Sequence, residues 1–417
     1  MEIKKLLLIS GEFPPTKTGD ANHAYYTALN LAQRGIEVHV LTSAVKGALR
    51  HPNFQVHPIM HGWSWRRLPR FRRIVKRLAP DAILEIYVGR MYGYRSMMTF
   101  APTIAKRILP SVRFVTQFEW IGDHEFWKKT LTERIVRKAM VRSMGTGIDY
   151  YYGTLVRDSD HIIVLSDSHR ERLIQEIALA KEKTSLIPPA PLMTLVPEIE
   201  NERERGRAML GVKPEEFLFV NYGYILPAKG LETLFQALQR ISNRRPEVRL
   251  AFIGGNGDSS LLSGANGITE KASRYADDIR KMPARLGIAD RVLWAGPFPT
   301  GDDRASFLVH AGDAGILPFD DGVFLNRSSF VAVAAHGLPI ITTRGETLER
   351  QFLDQENVYL CPPQNVEALA SAMEEVVARA DLRSRLSRGI QILSEQWFSW
   401  DKVIERTLNA FAKTRET

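Results

Sequence analysis

Three loops concentrate the residues able to hold or move a charged group. In PFDDGVFLNRSSFVAVAAHG, beginning at residue 318, one short segment carries Asp320, Asp321, Asn326, Arg327, Ser328 and Ser329. An arginine, two hydroxyls and the start of a helix expected over Phe330–His336 form a set that cradles a diphosphate. In NYGYILPAKGLETLFQAL, beginning at residue 221, Lys229 and Gly230 precede an amphipathic helix. A lysine at a helix start opposes the helix dipole, and a phosphate partner would compensate it. In GEFPPTKTGDANHAYY, beginning at residue 11, the polar groups are Lys17, Asp20, Asn22 and His23. Gly19 and Ala21 lie between them in what reads as a loop, followed by a helix from about His23 to Arg34. That loop holds no GxGxxG, which disfavours a nicotinamide or flavin site. For each of these segments the plain alternative is a solvated turn.

A fourth stretch, GWSWRRLPRFRRIVKRLAPD (residues 62–81), packs seven Lys and Arg between Arg66 and Arg77. Trp63, Trp65, Leu68, Phe71, Ile74, Val75 and Leu78 recur at helical spacing. Such a basic amphipathic helix lies on an anionic bilayer or turns its apolar stripe to a core. Nucleic acid is disfavoured, because no recognisable nucleic-acid-binding motif accompanies the charge.

The elements that must position these loops alternate. Strand-like runs are expected at Lys5–Ser10, Glu37–Thr42, Phe54–Pro58, Ala82–Tyr87, Arg113–Phe118 and His161–Ser166. A second series covers Phe217–Tyr222, Arg249–Gly254, Arg291–Ala295, Ala314–Leu317, Pro339–Thr343 and Val358–Cys361. Helical patterns such as Ala24–Arg34 and Leu231–Arg240 intervene. Near-continuous Leu, Ile and Val suit strands buried on both faces of a parallel sheet. The expected fold is α/β, two Rossmann-like doubly wound domains facing a central cleft. The joint falls in the proline-rich TSLIPPAPLMTLVPEIE, residues 184–200, before a charged helix at Glu202–Leu210. At 417 residues, two cores are the natural expectation.

The formal net charge of +9 is uneven. Residues 1–190 hold 29 Lys and Arg against 17 Asp and Glu, whereas the remainder holds 27 against 30. A basic first half points to an anionic surface or acceptor. The single cysteine, Cys361, makes no internal disulfide and fits a reducing, cytoplasmic setting. The opening MEIKKLLLISGEFPP reads as a first strand entering a loop rather than a signal peptide. No apolar run reaches the roughly 18–20 residues of a membrane span.

These pieces in this order resemble the family-4 retaining glycosyltransferases of the GT-B fold. The resemblance runs from EFPPTKTGDANHAYYTALNLAQRGIEVHVLTS through DHIIVLSDSHRERL, FVNYGYILPAKGLETLFQAL, RLAFIGGNGD, RVLWAGPF, AGDAGILPF and AAHGLPIITT to FSWDKVIERTLNAF. It implies an N-terminal acceptor domain (1–190), a C-terminal nucleotide-sugar domain (191–393) and a terminal helix (394–417) crossing back to the first. It also implies transfer of a hexose-like sugar with retention, in polysaccharide or glycolipid synthesis. The donor is a nucleotide diphosphate sugar, with no metal and no other cofactor, and the acceptor is saccharide or lipid-linked. The protein would work in the cytoplasm, peripheral on the inner face of the membrane through Arg66–Arg77.

On that resemblance Lys229 and Arg327 hold the diphosphate, with Asn326, Ser328 and Ser329 beside them. Asp320 or Asp321 faces the sugar, Glu346 contacts sugar or ribose, and Phe298 walls the base. Gly19 lets the first loop approach the donor. Lys17, Asp20, His23 and Arg90 fall on the acceptor side, and Glu119 is a candidate catalytic carboxylate with Asp321. Three departures stand out. Phe324 and Ala332 occupy the positions of the family's two glutamates, Tyr224 replaces the arginine before the loop lysine, and Phe118 replaces the histidine after the fifth strand. DGVFLNRSS resembles instead a branch with DGVSxRRGS. The alternative is a catalytically silent homologue that binds a nucleotide sugar or a partner subunit.

Overall fold

The computed structural model describes residues 2–122, 131–143, 145–196, 201–256 and 266–413. The chain divides into two compact units, Met1–Pro188 with Val403–Thr417, and Pro189–Lys402.

The first unit is built on a seven-stranded sheet of β1 (Lys5–Ser10), β2 (Glu37–Ser43), β3 (Phe54–Met60), β4 (Ala82–Tyr87), β5 (Arg113–Phe118), β6 (His161–Val164) and β7 (Thr184–Leu186). Its order is β3-β2-β1-β4-β5-β6-β7, with every pair parallel. Leu6 to Ile9 on β1 and all of β4 are buried, which is why both read as apolar runs rather than alternating ones. One residue breaks the rule. Glu85, at the centre of β4, is fully buried, and neither carboxyl oxygen has a hydrogen-bond partner among the described residues. Burial holds its pKa well above the ordinary carboxylate range. The strand β7 occupies the start of the segment expected to be a linker. Three residues carry too little pattern to announce a strand, and pairing with β6 alone defines it.

The helix after β1 spans Gly19–Gln33, four residues ahead of the expected start at His23. Thr18 explains the difference. Its hydroxyl oxygen accepts the Ala21 N–H at 3.1 Å and so caps the helix. Gly19 and Ala21 therefore belong to the first helical turn, not to a flexible loop. The basic stretch forms a short turn, Trp65–Arg67, and a helix, Leu68–Leu78.

The second unit carries a six-stranded parallel sheet of β8 (Phe217–Ile225), β9 (Val248–Asn256), β10 (Val292–Ala295), β11 (Ala314–Leu317), β12 (Ile340–Thr343) and β13 (Tyr359–Cys361). The order is β10-β9-β8-β11-β12-β13. Helix Leu231–Ser242 buries Leu231, Leu234, Phe235, Leu238 and Ile241, the i, i+3, i+4, i+7 stripe that its sequence advertises. Helix Ser328–Ala334 starts two residues before the expected Phe330 and is only seven residues long. Its small side chains let it lie tight on β11, where a Cβ at Gly315 would come within 2.5 Å of Val333 Cγ1. The last helix spans Trp400–Ala412, and residues from Val403 onward group with the first unit.

In each sheet the chain reverses its direction of growth between two neighbouring strands, β1 and β4 in one and β8 and β11 in the other. Loops leaving such a pair diverge and open a crevice at the carboxyl ends of the strands. The candidate residues collect at those two points.

Candidate functional site

In the second unit, the loop after β8 brings Lys229 and the loop after β11 brings Arg327 over one aromatic ring. Lys229 Nζ lies 5.0 Å from the Phe319 ring centroid, and the Arg327 guanidinium carbon lies 4.9 Å from it. Arg327 also lies 5.5 Å from the centroid of Phe324. Phe324, which stands where the resemblance has a glutamate, thus serves as a platform for the arginine. Lys229 Nζ donates to Ser329 Oγ at 3.1 Å. Asp321 pairs with Arg327, so it is the counterion of the arginine, and half of its side chain remains exposed. The buried Nε–H of Arg327 finds no acceptor among the described residues.

Two cations held over one aromatic ring repel. Burial, followed by the Arg327 charge, pulls the Lys229 pKa from the ordinary amine range down to about 7, with Asp321 acting weakly in the other direction. Lys229 is half-buried. An anion lying against both side chains would relieve that repulsion.

The two loops are locked together. Asp320 N–H donates to the Ala228 carbonyl at 3.1 Å. Gly230, at φ +64°, sits where any Cβ would overlap the Pro318 carbonyl. Asp320 is half-buried, and burial with the neighbouring charges of Glu232 and Asp321 raises its pKa, against a hydrogen bond from Gln364. Below Ser329 runs a floor without side chains. Gly223 and Gly254, near the ends of β8 and β9, and Gly296, just after β10, all have positive φ and lie against one another in space. A Cβ on Gly223 would meet Ser329, one on Gly254 would overlap Gly223, and one on Gly296 would come within 3.0 Å of the Phe298 ring. Phe298, with Arg304 over its ring at 5.4 Å, therefore stands at the far end of a glycine-paved shelf that begins at Ser329.

Not every expected residue joins this cluster. Glu346 is exposed in the loop after β12. The carboxylate that meets the 318–327 loop is Glu349, 3% exposed, which accepts the Leu325 N–H at 2.5 Å. Tyr224 lies inside β8, which runs to Ile225, opposite Gly255. Asn326 and Ser328 are half-buried beside Arg327.

In the first unit, β1 and β4 deliver a second charged group. Arg90, from the loop after β4, donates to Glu12 Oε1 at 2.7 Å and pairs with Asp20. Thr18 donates to the other Glu12 oxygen at 2.6 Å. Glu12 is 5% exposed and was not singled out from the sequence, although it stands in the same GEFPP loop. Beside this group, His23 Nδ1 lies 3.0 Å from Glu119 Oε2, and Gln117 donates to Glu119 Oε1 at 2.7 Å. A histidine from the first helix thus reaches the end of β5, where Phe118 itself is buried between Tyr87 and Tyr152. Lys17 is exposed and lies outside the network.

Residues 18–190 match the family described as Glycosyltransferase Family 4, and residues 202–391 match Glycosyl transferases group 1. A D-inositol 3-phosphate glycosyltransferase of Actinosynnema mirum is 22% identical, with 99% of this chain and 98% of that protein aligned. One from Saccharomonospora viridis is 25% identical over 96% of this chain and 90% of its own length. Among solved structures, a glycosyltransferase of Rickettsia africae superposes with a TM-score of 0.71 at 13% identity, covering all of both chains. HepE of Anabaena, solved with UDP and glucose, gives 0.70 at 15% identity over 99% of this chain and 100% of its own.

Proposed function

The chain belongs to the family-4-like glycosyltransferases with the two-domain GT-B fold, and from that premise we propose that it moves a sugar from a nucleotide diphosphate sugar to an acceptor hydroxyl with retention and without a metal ion. The observation that carries this reading is the pairing of Lys229 and Arg327 on Phe319, two cations drawn from the two loops of the β8/β11 crevice. The diphosphate lies against both, with Ser329 assisting, and the nucleoside extends along the glycine shelf toward Phe298. As the bond between the sugar C1 and the diphosphate oxygen breaks, the negative charge grows on the phosphates. Preformed cations at that place stabilise the leaving group, a role that commonly supplies the largest share of catalysis. The acceptor oxygen bonds to C1 on the face the diphosphate leaves, and its proton passes to the departing phosphate.

The first unit takes the acceptor. Arg90, Glu12, Asp20, His23 and Glu119 offer both signs of charge, suited to a hydroxylated acceptor that is a saccharide or lipid-linked. Proton NMR of the product made from an α-linked donor tests the stereochemistry. An α-linked product in the presence of EDTA supports retention without metal, and a β-linked product or loss of turnover with EDTA refutes it. A second reading, donor binding without turnover, draws on Ala332. That position is 1% exposed and offers no carboxylate to a ribose.

A further inference from the structure

The stretch Arg66–Arg77 takes no part in either charged group. No Asp or Glu occurs between Glu37 and Asp81, and none of the seven cations pairs with a carboxylate among the described residues. The sequence left two uses open for the apolar stripe of this helix. The structure uses it for the core: Phe71 and Val75 are fully buried, Ile74 is 2% exposed and Trp63 is 3% exposed. Trp65 is tied down as well, its indole N–H donating to Ser96 at 2.8 Å. The centre of the stripe is thus committed to the core, while Trp65, Leu68 and Leu78 at its two ends are half-buried.

What remains outside is charge with shape. A depression of about 340 Å³ lies between the end of β3 and helix Leu68–Leu78, lined by Ile59, His61, Arg70, Arg73, Ile74 and Arg77 with Pro58. The three arginines follow helical spacing and so share a side of the helix. Arg70 is held in place by donating to the Ile59 carbonyl at 2.8 Å. Guanidinium groups fit the paired oxygens of a phosphate better than lysines do. Exposed Arg66, Arg72 and Lys76 extend the positive area beyond the depression, more than one soluble phosphate would use.

We propose that this depression binds the phosphate of an anionic phospholipid headgroup, and that the surrounding cations hold the first unit on an anionic bilayer by headgroup contact, without insertion. This deepens the lipid-linked side of the reading above and is independent of the donor chemistry.

Vesicle co-sedimentation of the full chain tests it, with phosphatidylcholine vesicles and with vesicles containing 30% phosphatidylglycerol. Arg73→Gln/Arg77→Gln spares the Arg70 contact with Ile59 and guards against misfolding. Binding is expected only to the anionic vesicles, and it should vanish by about 0.5 M salt, where screening shortens to a few ångströms. The double variant should bind about 25-fold more weakly, since each basic residue near the surface contributes roughly fivefold. Donor-dependent release of nucleoside diphosphate in solution should be unchanged in that variant. Salt-resistant binding, or equal binding by the variant, overturns the proposal. Binding of inorganic pyrophosphate that the variant loses, with no vesicle binding, also overturns it and assigns the depression to a soluble phosphate.

Discussion

The crowding of Lys229 by Arg327 makes donor binding a proton-linked event. In the free protein the Lys229 ammonium titrates at about 7. A diphosphate against it favours the charged form and returns the pKa toward the ordinary value near 10.4. Between those limits the complex holds one proton that the free protein lacks. Affinity for a nucleoside diphosphate should therefore fall as pH rises above 7, approaching tenfold per unit, or about 1.4 kcal/mol. The diphosphate itself contributes little there, because its last ionisation lies near 6. Calorimetry in two buffers of different ionisation enthalpy reads the coupling directly. About half a proton should be taken up at pH 7 and close to one at pH 8.5. Arg327→Gln removes the second-largest cause of the depression, so its decline should begin at higher pH although its affinity is lower throughout. Zero proton uptake at pH 8.5, or affinity that rises with pH, would refute the reasoning.

Three further outcomes are expected. Gly230→Ala, at φ +64° and against the Pro318 carbonyl, should cost about 1–3 kcal/mol of stability and raise KM for the donor, read by thermal unfolding and initial rates. Glu12→Ala leaves Arg90 with Asp20 alone; the arginine is partly exposed, so the loss should stay near 1–3 kcal/mol in urea unfolding rather than the 3–5 of a fully buried pair. Glu85 has a pKa raised in the folded state, so its contribution is whole below the unfolded value near 4.3 and is lost as pH climbs toward the folded value. Wild type should thus lose stability as pH climbs above about 5, and Glu85→Gln should flatten that slope; parallel Tm profiles would contradict the assignment.

Much of the architecture was legible because both sheets are parallel and buried. Lys5–Ser10, Ala82–Tyr87, Arg113–Phe118 and Ala314–Leu317 coincide with unbroken apolar runs, and burial on two faces is what produces such runs. β7 escaped because three residues at an edge carry no periodicity. The helix start at Gly19 escaped because its signal is a single side-chain bond from Thr18, which spacing alone does not display.

In the site, Lys229 and Arg327 were legible as cations set against the dipole of a helix start. Their partners were not. Phe319 reads as core, Glu12 as one acid in a proline-rich loop, and Glu349 as one of many acids. Only topology, which sets β8 beside β11 and β1 beside β4, brings residues about 100 or 78 positions apart into contact. Glu346 and Glu349 both follow β12, and the sequence does not display which of the two turns inward to the 318–327 loop.

The most direct test of the donor assignment is release of nucleoside diphosphate from a panel of UDP-, GDP-, ADP- and dTDP-sugars, with wild type and Arg327→Ala compared in water and in membrane extract. The account predicts release with one nucleotide class and its loss in Arg327→Ala. Failure of every donor both to bind and to react, or turnover that survives Arg327→Ala undiminished, would contradict it.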